Sequence, residues 1–275
     1  MTDLLLDPRV RSVLGESRQA FVAVATRNGP HVTPELYAVE DGRLWFASAA
    51  ATVKVRAVEK RPHAAAAIRA GDRSVVVSGT VESFDPFDPR ALARAARQGP
   101  AVAKALGQFG LRNAPDLAGF VADTVRGRLG RRVPGRRTVL ALTPDRVALT
   151  ASTTVEGAWG AWPNASAATE VGDPGEGIDG VVGWETDAGV LALPARWDAS
   201  SCAAHVPAAL LDLAGIDGSA RACVAADEYG GPGPAAKSGL LLRGHGRRDG
   251  ALVHIDADRV TSWDGIVTAT EATAS

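Results

Sequence analysis

Ser48, Thr52, Lys54 and Arg56 fall within the stretch LWFASAAATVKVRAVEKRP, residues 44–62, where an apolar run that reads as a strand gives way to small residues and then to basic ones. A phosphate group needs hydroxyl donors, an ammonium and a helix N-terminus, and a strand-to-helix junction can bring all three onto one anion. The same residues have a plainer reading. On a short solvated helix, Lys54, Arg56, Lys60 and Arg61 would simply extend their charged heads into water.

The elements that must position this junction read as mainly β with inserted helices. Asp7-Pro8 is an N-cap followed by proline at the first helical position, so a short helix opens the chain and packs Val10, Val13 and Leu14. Phe21, Val22 and Val24 lie in a β-rich run. Asn28-Gly29 and Asp41-Gly42 supply turns, making a three-stranded meander that ends on Leu44, Trp45 and Phe46. After the junction, two more strands flank Gly71-Asp72. Asp88-Pro89 predicts the start of a helix, and helical spacing continues to about residue 129 before strand text resumes with RTVLALTPDRVALTAS.

Composition bounds the class. With 275 residues, 46% hydrophobic and 22% charged, the chain can bury one large core or two ordinary ones. A formal net charge of −1 gives no global pull towards nucleic acid, so an anion site must be local. No apolar run reaches the roughly 18 residues of a membrane span, and the N-terminus lacks a basic region and a cleavage site, so a cytoplasmic protein with no membrane partner is expected. Cys202 and Cys223 are expected to be free and buried.

The second half reads as a worn copy of the first. DGRLWFASA (41–49) aligns with DAGVLALPA (187–195), RPHAAAAIRAGDRSVVVSGTVES with RACVAADEYGGPGPAAKSGLLLRGHGR, and TVLALTPDRVALTAS with ALVHIDADRVTSWDG. Gly79 to Gly244 is a shift of 165 and Asp145 to Asp258 a shift of 113, so the first half holds 52 extra residues between them, matching the helical block. Duplication and a chance likeness of Ala/Val-rich strands are the two accounts.

The order of these pieces resembles a known family. A meander with Asn-Gly and Asp-Gly turns, then S-x-x-x-T-x-K leading a short helix to R-P, then a hairpin closing V-V-S-G-x-V-E, is similar to the flavin-binding split barrel. That family includes pyridoxamine 5′-phosphate oxidase, the deazaflavin F420-dependent reductases and haem-binding relatives. The resemblance covers residues 15–84 well, the strands to 152 moderately, and the second half only as a degenerate copy. It implies that two barrels pair with the cofactor between them, its phosphate held at Ser48, Thr52, Lys54 and Arg56. It also implies that the flavin ring lies along the second strand, HVTPELYAV, where Thr33, Pro34, Glu35 and Leu36 are the candidates. Such a ring is held by backbone groups and apolar faces, and Pro34 would free backbone groups for it. An edge-strand proline is the alternative.

Opposite ATVKVRA, the second half reads DASSCAA (198–204), which sets Lys54 against Ser201 and Arg56 against Ala203. The loss of charge implies a pseudo-partner barrel that completes a single groove. The expected architecture is two tandem split β-barrels forming an intramolecular pseudo-dimer. Residues 1–155 form the first, with a helical insertion at about 86–136, and residues 156–275 the second; the chain is expected as a monomeric pseudo-dimer or a homodimer. The first strand of the second barrel has no clear text, since EVGDPGEG occupies its place.

Other features carry less. The histidines show no zinc spacing, and no metal is expected. RGRLGRRVPGRR (126–137) reads as a solvated linker, EYGGPGPAAKSG as a hairpin tip or lid, and Trp159 and Trp162 as core packing or a cover for a ring system. The Arg-containing C-terminal substrate segment of pyridoxamine 5′-phosphate oxidase is not found. The expected function is an oxidoreductase that transfers hydride between FMN, or F420, and a small organic substrate. The alternative is a non-catalytic ligand-binding or haem-binding protein on the same scaffold.

Overall fold

A computed structural model describes residues 4–85, 101–127, 137–164, 177–229, 231–265 and 267–273. The chain begins with helix α1 (Pro8–Glu16), whose cap Asp7 accepts a hydrogen bond from the Arg9 amide at 2.8 Å and whose first residue is proline. Val10, Val13 and Leu14 are buried at helical spacing, as expected.

The first sheet contains β1 (Gln19–Thr26), β2 (Gly29–Glu40), β3 (Arg43–Ala49), β4 (His63–Ala70), β5 (Arg73–Phe84), β6 (Arg137–Ala151) and β7 (Thr154–Gly160), with α2 (Val53–Lys60) between β3 and β4. Its strand order is β3-β2-β1-β4-β5-β6-β7, and an additional β3–β6 pairing closes six strands into a barrel. The expected boundary at residue 155 falls inside β7, which pairs with β6 in this sheet.

The second sheet contains β8 (Ile178–Thr186), β9 (Gly189–Asp198), β10 (Ala203–His205), β11 (Ser219–Tyr229), β12 (Lys237–Asp249), β13 (Leu252–Asp264) and β14 (Val267–Ala272), with α5 (Ala208–Leu213) after β10. Its order, β10-β9-β8-β11-β12-β13-β14 with an additional β10–β13 pairing, repeats that of the first. The first strand of this sheet is Ile178–Thr186; the expected EVGDPGEG position lies almost wholly outside the described residues.

Register makes the likeness residue by residue. A bulge falls between Ser78 and Gly79 opposite Asp145, and another between Arg243 and Gly244 opposite Asp258. A Cβ on Gly79 would collide with the Thr143 carbonyl and one on Gly244 with the Asp256 carbonyl, so both bulges need glycine. The shifts of 165 and 113 therefore hold in register. One alignment does not. Residues 187–195 correspond to 27–35 and not to 41–49, because β9 pairs with β8 as β2 pairs with β1, with Gly29 matching Gly189 and Pro34 matching Pro194. Accordingly the counterpart of α2 is α5, and DASSCAA lies in the turn and strand before it.

The two sheets pack directly on each other. In β4, Ala64 and Ala66 enter the barrel core while Ala65 and Ala67 face outward against the second half, the two-residue alternation of a strand. Ala23, Val32, Ala65 and Ala67 meet Val190, Ala192, Cys223 and Ala225, and small side chains let the sheets approach closely.

Two described helices, α3 (Ala101–Arg112) and α4 (Ala114–Val125), occupy the expected insertion; its predicted start at Asp88-Pro89 lies outside the described residues, as does most of the arginine-rich segment. Val102 and Ala105 of α3 cover Trp45, Phe84 and Ala141. The α4 helix reaches the second half. Gly119 lies against Pro232 and Gly233, the Asp123 carboxylate accepts from the Ala235 amide at 3.2 Å, and Asp116 pairs with Lys237 at 3.8 Å. The Gly/Pro-rich loop is thereby fastened to α4. Both cysteines are free; Cys223 is buried, but Cys202 is exposed because it sits in the β9–β10 turn. Among the described residues no helix is long and apolar enough to cross a membrane.

Candidate functional site

A groove of about 500 Å³ runs between β2, the end of β3 and the start of α2 on one side and β12, β13 and β14 on the other. Its floor follows from strand alternation. His31, Thr33 and Glu35 lie two residues apart on β2 and all line the groove, as does Pro34. Because β3 pairs only with residues 37–40 of β2, the edge of β2 over residues 29–36 has no strand partner beyond β1 among the described residues. Along that edge the Val32 amide is given to the Cys223 sulfur, while His31, Thr33, Pro34 and Glu35 line the groove.

The basic junction forms one end. Thr52 caps α2, its hydroxyl accepting from the Val55 amide at 3.4 Å and lying 3.3 Å from the Ser48 hydroxyl. Arg56 is exposed and has no ion-pair partner among the described residues. Lys54 behaves otherwise than a free point charge. Its side chain is 2% exposed and paired to the Glu35 carboxylate, since an ammonium buried this deeply requires a counter-charge. Burial pushes the Lys54 pKa down, and Glu35 opposes that shift. With Lys54 neutralised, Arg56, the two hydroxyls and the α2 N-terminus remain to face an anion.

Seven of the eight expected residues, Thr33, Pro34, Glu35, Ser48, Thr52, Lys54 and Arg56, therefore share one groove. Leu36 is not among its lining residues.

The far wall comes from the second half: Lys237, Leu241, Thr261, Trp263, Gly265 and Thr268. Trp263 is fixed in place. Its indole N–H donates to Asp227 at 2.9 Å, Asp227 in turn accepts from Gln19 of the first half at 2.8 Å, and Gly239 leaves room for the ring. Sequence reasoning missed this wall, because only the packing of the halves brings it opposite β2. His31 was legible, two residues before Thr33 on an alternating strand.

Two polar atoms in the groove are left without partners. The His31 Nδ1 and the Thr33 hydroxyl are buried and make no hydrogen bond among the described residues. Burial, with Lys54 and Arg243 nearby, pushes the His31 pKa down to about 4, so its imidazole is neutral. Buried groups of this kind are normally satisfied, and a ligand is one way to satisfy them.

Residues 7–112 match the family model described as Pyridoxamine 5'-phosphate oxidase. Similar solved structures include a pyridoxamine 5'-phosphate oxidase-related, FMN-binding protein from Nostoc punctiforme, 16% identical, with 54% of this chain and 86% of that one covered and a TM-score of 0.37. A conserved hypothetical protein from Mycobacterium tuberculosis is 20% identical over 55% of this chain and 88% of its own, with a TM-score of 0.37. An FAD-binding protein from Mesorhizobium loti is 18% identical over 50% and 89%, with a TM-score of 0.33. No protein of curated function matches the chain.

Proposed function

The first half of the chain belongs to the pyridoxamine 5′-phosphate oxidase-like split-barrel family, and from that premise we propose that the chain binds one flavin-class cofactor, FMN first and F420 second, in the groove between its halves. On this reading the second sheet is a degenerate second split barrel, and the molecule is a pseudo-dimer within one chain. The bound cofactor supplies a ring that exchanges hydride with a small organic substrate.

The observation that carries this reading is the pairing of unsatisfied and apolar surface in one cavity. The His31 Nδ1 and the Thr33 hydroxyl offer hydrogen bonds to the polar edge of a ring, while Leu241, Trp263 and Pro34 offer apolar faces. Ser48, Thr52, Arg56 and the α2 N-terminus would hold the phosphate. Glu35 keeps Lys54 in place, and Trp263 shields the groove from water.

A non-catalytic carrier is the second reading, and His31 is the observation that favours it, because a neutral imidazole with a free nitrogen is a haem ligand. The absorption spectrum of the purified protein, followed by titration, separates the two. A flavin or deazaflavin band with saturation at one equivalent of FMN or F420 per chain supports the proposal. A Soret band favours the carrier, and no binding of any of the three sinks both. Arg56→Ala is expected to weaken FMN by about tenfold or more, the loss of one charge-assisted contact.

A further inference from the structure

A second cleft, of about 420 Å³, is lined by Arg27, Asn28, Arg221, Arg243, Asp258 and Arg259. Register gives each of these a counterpart in the other half. Arg243 and Arg259 flank the second bulge where Ser78 and Arg146 flank the first, and Asp258 corresponds to Asp145. Arg221 occupies the place of His63, one residue before the alanine that faces the bulge glycine. Arg27 and Asn28 hold the turn positions of Asp187 and Ala188.

The two clusters share a framework. Thr26 donates to the Gly29 carbonyl at 2.6 Å and Thr186 to the Gly189 carbonyl at 2.7 Å; Arg221 lies against Gly29 and His63 against Gly189. Their charge differs. In the first, Arg146 donates to Ser78 at 3.2 Å and to the Ala188 carbonyl at 3.3 Å with its guanidinium set over Trp162, and the His63 Nδ1 is buried without a partner among the described residues. This first cluster holds one arginine against Asp145 and Asp187. The second holds four arginines against Asp258, which among the described residues pairs with Arg221 at 2.7 Å; Arg221 also donates to the Asn28 carbonyl at 2.9 Å, as Arg146 does to Ala188, so Arg27, Arg243 and Arg259 are the cations in excess. Arg243 is partly buried, its Nε lacks a partner among the described residues, and burial and Arg259 both press its pKa down.

The cleft also continues the groove. Arg243 and Leu241 are two residues apart on β12, and Arg259, Thr261 and Trp263 alternate along β13, so cleft and groove lie on the same strand faces. Arg259 is about 13 Å from Trp263 along the strand.

We propose that this cleft is a second anion site, taking a phosphate or carboxylate carried by a ligand of the groove that, unlike FMN, bears a second anionic group at a distance from its first phosphate. The assignment of that ligand rests on the cofactor reading above; the anion chemistry of the cleft does not.

Titration calorimetry of the full chain with inorganic pyrophosphate and, separately, with citrate tests the site without a cofactor. At low salt at least one is expected to bind saturably. Pyrophosphate alone points to a phosphate source, and citrate, alone or as well, extends the site to carboxylates. The paired change Arg221→His and Arg243→Ser, which installs the residues of the first half, is expected to weaken that binding by about tenfold or more. Arg27→Asp, on an exposed turn, serves as a second variant that leaves packing alone. Binding of neither anion, or binding that both variants leave intact, overturns the proposal; the latter assigns the anion to α2 instead. FMN binding to the paired variant is expected to stay within about twofold of the parent, since its single phosphate is held at α2. Should FMN fail to bind the parent while pyrophosphate binds in the cleft, the cofactor reading falls and the anion site stands.

Discussion

Where the open groove holds His31, Thr33 and Glu35, the second half carries Leu191, Leu193 and Ala195, with Pro34 and Pro194 at the same register position of their strands. Ser48 corresponds to Val206, because Ser48 stands opposite Thr138 and the Val206 amide donates to Ala251, the residue matching Thr138, and the Thr52 cap corresponds to Pro207 at the start of α5. The opposite wall changes in the same sense, Leu241, Thr261 and Thr268 answering to Val76, Ala148 and Val155. Those apolar residues form one core cluster with Trp162, Leu210 and Leu211, so the position equivalent to the groove is filled. The difference teaches that strand order alone does not make a binding site. A few polar side chains on one strand face and the absence of one indole separate a cavity from a core.

Removing that indole should break the comparison most severely. Trp162 is 6% exposed, and its N–H donates to the Val147 carbonyl at 3.1 Å. Trp162→Ala would leave a large apolar void and an unpaired carbonyl, with an expected loss of about 3–5 kcal/mol in urea unfolding. FMN binding in the other groove should persist wherever the variant is folded. A loss below about 1 kcal/mol would mean that the second groove is not filled in the way described.

The next largest effect is the pH dependence that His31 adds in the open groove. In the unfolded chain an imidazole titrates near 6.5, whereas burial holds His31 down at about 4. Below about pH 6.5 the unfolded chain takes up a proton that the folded groove refuses. The stability is therefore fully present above that pH and is lost as the pH falls towards about 4, by roughly 3 kcal/mol in all. His63 is shifted in the same direction, so the contribution of His31 must be read as the difference between the parent and His31→Leu. Urea midpoints at pH 7 and pH 5 should show the parent losing roughly 2 kcal/mol more than the variant. Equal losses would place His31 in contact with solvent.

Much of the fold was legible because local chemistry decides it. Asp7-Pro8, Asn28-Gly29 and the two Asp-Arg-Val segments each specify a cap, a turn or a bulge by their own residue types. The strand IDGVVGWET was missed because its glycines interrupt the apolar alternation, and β10 because it is three residues long. The alignment of 187–195 slipped by one strand because DG and AG both open a turn; the proline shared by TPE and LPA was the better marker. Of the site, the face of β2 and the junction could be read locally. The Lys54–Glu35 pair and the wall at Trp263 depend on contacts across 19 residues and across the halves, which periodicity does not encode.

The smallest expected effect on stability is also the sharpest test of what separates the grooves. Thr33→Leu places in the open groove the residue that Leu193 supplies to the filled one. The Thr33 hydroxyl has no partner, so its removal relieves a desolvated polar group, and the cavity beside it has room for the larger side chain. Free of ligand, the variant should be unchanged or more stable by about 1 kcal/mol. With ligand it should fail: a leucine in the floor takes the space of a ring and offers it no hydrogen bond, and FMN affinity should fall by about tenfold or more. Gained stability with lost binding would mark Thr33 as a position held polar for a ligand at a cost to the free protein. Lost stability with unchanged FMN binding would mean that this face of β2 is ordinary packing and that the ligand lies elsewhere.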